Sequence, residues 1–338
     1  MKRGLARYLF ALTLCFSVAR LAAQDPQYSQ FYSNLALLNP AFTGSGIGPR
    51  IAMNYRAQWV AIPGYYKQFA FSYDQPVHFL GSTQGLGVTF TSDVAGEGNL
   101  RKLGVTLNYA YQVDITDEHT LRFGLSGGFQ QASIDFYKLR FPDQIDPRNG
   151  FTQPSQEPGP AGGFSQANIR PDISAGVAYF NQYAWLGLTV NHITEPEERF
   201  YNVGTPLGVD ARLPRKFTVT GGIRIPIGSS RGRRGREMSV TPAFLYKMQG
   251  DFTQIDGGLY VNLDPMVFGF WYRHQDALIG LIGLKTGPFS FGYSYDYTIS
   301  QLTQSASGGS HEIAVVLELE QPRRSKKRKH RSLPCPRF

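Results

Sequence analysis

Few residues in this chain are of a type and spacing that could do chemistry. The six histidines, His78, His119, His192, His274, His311 and His330, stand singly. None has beside it the Ser and Asp of a hydrolytic triad or the second ligand of a zinc site. No Gly-x-Ser-x-Gly elbow joins a strand to a helix, and no glycine-rich phosphate loop opens one. No catalytic, cofactor or metal site is therefore expected.

The strongest charge signal is the end of the chain, "EQPRRSKKRKHRSLPCPRF". It carries Arg323, Arg324, Lys326, Lys327, Arg328, Lys329, Arg331 and Arg337. A run like this often marks nucleic acid, an anionic membrane or a nuclear address. The rest of the chain argues against the first and last. Of 34 basic residues, four lie in the first 23 positions and eight in this tail, so residues 24–322 hold 22 basic against 25 acidic residues. Apart from "SSRGRRGRE" at 229–237, that body has no basic cluster to neutralise phosphates, and no nucleic-acid partner is expected.

The beginning of the chain indicates export. "MKRGLARYLFALTLCFSVARLAAQ" has a basic start, an apolar stretch from Leu9 to about Ala19, and Ala22 and Ala23 where a peptidase can cut. Residues 1–23 are expected to be a signal peptide, although Arg20 and Leu21 make an imperfect cleavage site. Cys15 is a poor lipid-attachment site because bulky Leu14 precedes it. With the signal removed only Cys335 remains, which excludes an intramolecular disulfide.

No stretch after residue 23 has the roughly 18 apolar residues of a membrane helix. The body alternates instead. In "RKLGVTLNYAYQV", Leu103, Val105, Leu107, Tyr109, Tyr111 and Val113 fall on one side, and Lys102, Gly104, Thr106, Asn108, Ala110 and Gln112 on the other. "KQFAFSYD" and "PFSFGYSYDYT" repeat the pattern, and a period of two means strands. Fourteen such segments lie near 50–59, 66–76, 84–92, 101–114, 120–132, 171–181, 183–192, 215–227, 237–248, 252–263, 266–274, 278–286, 288–299 and 310–319. Their length suits tilted strands crossing a bilayer, whereas strands of soluble domains are nearer five or six residues. One face is rich in Gly, Ser, Thr, Asn and Gln, as a wet lumen would be. Tyr and Phe number 19 and 24, many near strand ends where aromatic girdles sit. The expected fold is an all-β transmembrane antiparallel barrel over residues 50–320; a secreted β-sandwich is the blander alternative, disfavoured by strand length and even count.

With both termini in the periplasm, the long connections after strands five, seven and thirteen all fall outside, and "NQY", "LDP" and "TGP" make short inner turns. The basic segment after strand eight is the exception. Residues 24–49 neither alternate nor carry linker-like charge, and Leu35, Leu37, Leu38 and Phe42 need burial, so this stretch is expected in the periplasmic mouth or as a plug in the lumen. The basic tail, 321–338, is expected in the periplasm, either approaching acidic partners or as a solvated extension.

The ordered set "QDPQYSQFYSNLALLNPAFTG", "NYRAQWVAIPG", "FSYDQP" and "GGSHEIAVVLEL" resembles the PorP/SprF family of outer-membrane proteins of the type IX secretion system. The resemblance implies a non-catalytic barrel in the outer membrane of a Gram-negative bacterium. Its implied partners are type IX secretion subunits, including periplasmic ring or peptidoglycan-linked lipoproteins, or a large surface adhesin such as those used in gliding.

The candidate partner-binding residues come from these motifs and the tail: Asn39, Pro40, Gly44, Tyr55, Arg56, Trp59, His311 and Glu312, with Arg323, Arg324, Lys326, Lys327, Arg328, Lys329 and Arg331. Each motif has a plainer structural reading. Asn39, Pro40 and Gly44 form a turn, Arg56 and Trp59 fill the lumen and rim of the first strand, and Gly308 and Gly309 turn the chain into the last strand. A passive porin is the competing function, because fourteen strands enclose a lumen wide enough for water unless something plugs it.

Overall fold

The alternation closes into a barrel. The computed structural model describes residues 25–319 except 80, 136–137, 142–143, 147, 149, 152–167, 198–211, 228–237 and 301. Residues 1–23, expected to be a signal peptide, and the basic tail with His330 and Cys335 lie outside the described residues. Fourteen strands form the wall: β1 Arg50–Gln58, β2 Tyr66–Phe79, β3 Ser82–Ala95, β4 Leu100–Asp114, β5 Thr120–Ser133, β6 Asn168–Phe180, β7 Ala184–Asn191, β8 Lys216–Ile223, β9 Met238–Gln249, β10 Phe252–Leu263, β11 Met266–Arg273, β12 Ala277–Thr286, β13 Phe289–Thr298 and β14 Ser310–Glu318. Every neighbouring pair is antiparallel, and β1 pairs with β14 from Arg50 opposite Glu318 to Gln58 opposite Ser310, so no edge is left.

The period of two sets which side chains meet lipid. Met53 and Tyr55 in β1, Leu107 and Tyr109 in β4, and Ile313 in β14 are exposed, while Asn54, Arg56, Asn108 and Glu312 between them are buried. A soluble protein would not present Leu107 at 69% exposure in such company, whereas a bilayer takes up this face. Within the described residues no helix is long and apolar enough to cross a membrane.

The seam between β8 and β9 departs from a continuous ladder. Pairing runs from Lys216 opposite Gln249 to Gly222 opposite Ala243, stops, and resumes as Ile225–Pro226 opposite Val240 and Ser239. Pro242 lies in the gap and has no N–H to donate, which is why the single segment expected over 215–227 is broken there.

The connections sort into two ends. One end, the turn end, carries the links 80–81, 115–119, 181–183, 264–265 and 287–288, together with 224–237. The other, the loop end, carries 134–167, 192–215 and 299–309 among its links. In the first of these, Ile145–Asp146 pairs with Gly150–Phe151 as a small separate hairpin. A short helix, α1 Leu35–Leu38, lies before β1, and a second, α2 Gln304–Ser307, lies between β13 and β14.

Candidate functional site in the barrel lumen

Residues 25–49 run through the inside of the barrel from the loop end to the turn end. Asp25 meets Lys216 and Gln249, the first residue of β8 and the last of β9, whereas Gly44 sits beside Gln75 and Gly85 near the 80–81 turn. Between these points the segment makes α1 and then a tighter turn at Pro40–Phe42. Asn39 starts that turn by accepting the Ala41 N–H at 2.8 Å, and Pro40, which has no N–H to satisfy, takes the first position. Ala41 and Phe42 have no exposed surface.

The wall is cut to receive this turn. A Cβ at Gly124 would stand 2.1 Å from Ala41 N, one at Gly176 2.1 Å from Asn39 Oδ1, and one at Gly85 1.9 Å from Thr43 O. Only a wall bare of side chains at these points lets the backbone approach. Gly44 has φ +64°, and a Cβ there would also fall 2.6 Å from Gln75 O. The Asn39 side chain reaches into the wall, where its Nδ2 donates to the carbonyls of Val177 and Leu188 at 3.3 and 3.2 Å.

Charge fixes the segment at three levels. At the turn end Arg50 forms a two-point pair with Asp74 at 3.0 and 3.1 Å, and Oδ2 of that carboxylate also accepts the Gly44 N–H at 2.7 Å. Nearby, the Arg122 guanidinium donates to the carbonyls of Ala41, Thr43 and Gly44 and to Gln112 Oε1. This arginine therefore binds the turn by its backbone and has no carboxylate within salt-bridge distance among the described residues.

The middle level is the densest. Glu312 accepts the backbone N–H groups of Ser29 and Gln30 at 2.6 and 3.1 Å, Asn54 Nδ2 at 3.0 Å, and Arg56 Nη1 at 3.5 Å. Arg56 also pairs with Asp296 at 2.8 Å, and Arg273 spans Asp256, Asp276 and Asp296. At the centre, Ser29 Oγ accepts from Arg56 and Arg273 and donates to Asp296 at 2.6 Å. Four carboxylates and two guanidiniums are thus tied together through one residue of the N-terminal segment.

At the loop end His192 lies between two carboxylates, with Nε2 2.8 Å from Asp25 and Nδ1 2.9 Å from Asp172. Both ring nitrogens then donate, which requires the charged imidazolium. Burial opposes that charge, but the Asp25 carboxylate and the hydrogen bonds to Asp172 and Asp25 outweigh it and raise the His192 pKa to about 9. Burial also works against the Asp25 carboxylate, yet Lys216 and His192 hold its pKa well below the usual range.

The inward face was expected to be rich in small polar groups, and one side of the lumen is instead aromatic and apolar. Trp185, Leu245, Tyr260 and Trp271 turn inward from β7, β9, β10 and β11 against Phe31 and Tyr32. Phe31 meets Trp271 edge-on at 5.1 Å, and Tyr32 meets Trp185 at 5.7 Å. The apolar side chains of the segment require an apolar partner, and this wall supplies it.

The residues singled out from sequence separate by face. Asn39, Pro40 and Gly44 form the inner turn, and Arg56 and Glu312 meet in the buried network. Tyr55 and His311 point outward, His311 toward Tyr293, whose hydroxyl is 2.8 Å from its Nδ1. Trp59 follows β1 with φ 60° and packs edge-on against Tyr66 at 5.5 Å at the loop end. The tail arginines and lysines are outside the described residues. Ser29, Arg122, His192, Arg273 and Asp296 were not singled out. For Arg122 and Asp296 the available signal was phase, a charge on the inward side of an alternating strand.

The PorP/SprF family model, "Type IX secretion system membrane protein PorP/SprF", matches residues 20–317. No curated protein is significantly similar to the chain. Among solved structures, the toluene transporter TbuX of Ralstonia pickettii is 12% identical, with 85% of this chain and 94% of that one covered and a TM-score of 0.47. BamA of Haemophilus ducreyi lacking three of its POTRA domains is 7% identical, covering 80% and 70%, with a TM-score of 0.36. A mutant porin of Rh. blastica is 7% identical, covering 80% and 99%, with a TM-score of 0.34.

Proposed function

The chain belongs to the PorP/SprF family of type IX secretion system membrane proteins, and from that premise we propose that it is a non-enzymatic, plugged scaffold of the system rather than a diffusion pore. It is a barrel of the Gram-negative outer membrane. In this reading the turn end faces the periplasm and docks secretion subunits, including ring or peptidoglycan-linked lipoproteins. The loop end holds a surface adhesin, including adhesins of gliding motility, or helps to secrete it.

The observation that carries the reading is residues 25–49 lying in the lumen, with Ser29 tied into the Arg56, Asp296 and Glu312 network. A general porin gains nothing from a segment fixed by buried ion pairs across its path. A scaffold gains a rigid interior that holds its two ends in register for partners. The basic tail following β14 is, in the same reading, a contact for acidic periplasmic surfaces.

Crosslinking in intact outer membranes followed by affinity recovery of the full chain tests the proposal. Recovery of periplasmic lipoproteins supports the subunit-docking role, and recovery of one very large surface protein supports the adhesin role. Recovery of neither, with secretion and gliding unchanged in a deletion strain, overturns both.

A further inference from the structure

The N-terminal segment leaves part of the lumen unfilled. Toward the loop end, between this segment and the inner faces of β3 to β9, lies a cavity that is partly open to solvent, lined below by Leu38 and Pro40. Its walls carry hydroxyls and amides, among them Thr89, Thr106, Asn108, Ser126 and Thr218.

The charges around it are unevenly matched. Asp25 is held by Lys216 and His192, Asp172 accepts from His192, and Asp93 stands directly across the β3–β4 ladder from Lys102. The Lys247 ammonium has no hydrogen bond or ion pair with any described residue. Asp256 and Asp25 act on it only at longer range, against Lys216 and Arg273 of its own sign. Thr218 lies opposite Lys247 in the β8–β9 ladder, and both residues line the cavity. Two buried amide donors that line the cavity, Asn34 Nδ2 and Asn108 Nδ2, also have no partner among the described residues. A buried donor left unpaired costs about 1–3 kcal/mol, so these groups favour an acceptor in the cavity.

We propose that this cavity binds a carboxylate-bearing ligand, seated on Lys247 and Thr218 and completed by the Asn34 amide. One unmatched positive charge suits one carboxylate better than a dianionic phosphate, and the hydroxyl and amide walls suit a polar remainder. The carboxylate belongs either to a small organic acid or to an acidic side chain of a polypeptide reaching in from the loop end. The site is independent of how the barrel docks its secretion partners.

The test uses the full chain purified in detergent, with calorimetric titration of succinate, of a short oligoglutamate peptide and of neutral succinamide. Saturable binding of at least one carboxylate probe is expected, with succinamide inert. Lys247→Met is expected to weaken binding at least about tenfold, while Lys247→Arg stays within a few-fold of the parent. Heat-modifiable gel migration shows that each variant is folded, and Lys247→Arg carries the test if Lys247→Met is not. Binding of both probes indicates that a free acid suffices, and binding of the peptide alone indicates a polypeptide source. Absence of binding by either probe at millimolar concentration, equal affinity in folded Lys247→Met, or equal binding of succinamide overturns the proposal.

Discussion

Arg56 and Glu312 stand directly opposite each other across the seam joining the first and last strands, both turned inward and fully enclosed, with Nη1 3.5 Å from Oε2. Each also grips Ser29, Arg56 through the hydroxyl and Glu312 through the backbone N–H. The closing seam and the N-terminal segment are therefore held by the same two side chains. Removing the cation leaves Glu312 buried without a paired charge and Asp296 with Arg273 as its remaining cation, so Arg56→Met is expected to destabilise the barrel by about 3–5 kcal/mol. Glu312→Gln keeps a carbonyl for Ser29 and is expected to lose less, and the double variant less than the sum of the two. Urea unfolding midpoints in detergent measure all three; additive losses would mean that the pair does not act as a unit.

The barrel was legible because its signal is periodic and long: a strand such as 101–114 fixes inside and outside by phase alone. The interior was less so. Asn39, Pro40 and Gly44 announce a turn by residue type, but nothing local says that the turn lies under Gly85, Gly124 and Gly176, which come from three strands far apart in the chain. His192 is a lone histidine in sequence and becomes a bridge only when Asp25, 167 positions away, is brought to its Nε2. The inward Trp185 and Trp271 are likewise explained only by Phe31 and Tyr32, which pack on them.

Gly124 offers a way to dislodge the segment without touching a charge. A side chain there enters the Ala41 backbone, so Gly124→Val is expected to push the turn away at a cost of about 1–3 kcal/mol. Gly127, in the same strand, has nothing within 4 Å of its Cβ position, and Gly127→Ala is the matched control. In planar bilayers the parent and the control are expected to show no sustained open state, and Gly124→Val to show frequent openings. A parent with steady large currents would support a porin instead.

The loop-end latch has a defined pH window. The His192 pKa rises from 6.5 to about 9 on folding, so its contribution is complete below about 6.5 and fades as pH climbs through about 9. Asp25 is depressed below 3.8, so its contribution is present above that value and is lost in stronger acid. Amide exchange at Asp25, Gln27 and Tyr28, compared after correction for intrinsic rates, is expected to speed up between pH 8 and 10 as the imidazolium is lost. Exchange at Ala41 and Phe42, held by Arg122 and the wall glycines, should change little. His192→Gln, which cannot carry the charge, should exchange rapidly at Asp25, Gln27 and Tyr28 across the whole range.

Asn39 separates shape from hydrogen bonding in the inner turn. Its Oδ1 caps Ala41 while its Nδ2 donates to two wall carbonyls, Val177 and Leu188. Asn39→Asp preserves size and the cap but turns an anionic oxygen toward those carbonyls, replacing two attractions by two repulsions in a buried place. Asn39→Ala removes the cap and leaves polar groups unpaired, a loss of about 1–3 kcal/mol. The near-isosteric change is therefore expected to be the more damaging one. Trypsin resistance of the Arg50–Ile51 bond and the urea midpoint report it, with the order parent, Ala, Asp. If Asp proves as stable as the parent, the Asn39 amide does not hold the segment to the wall, and the glycine surface alone must account for its position.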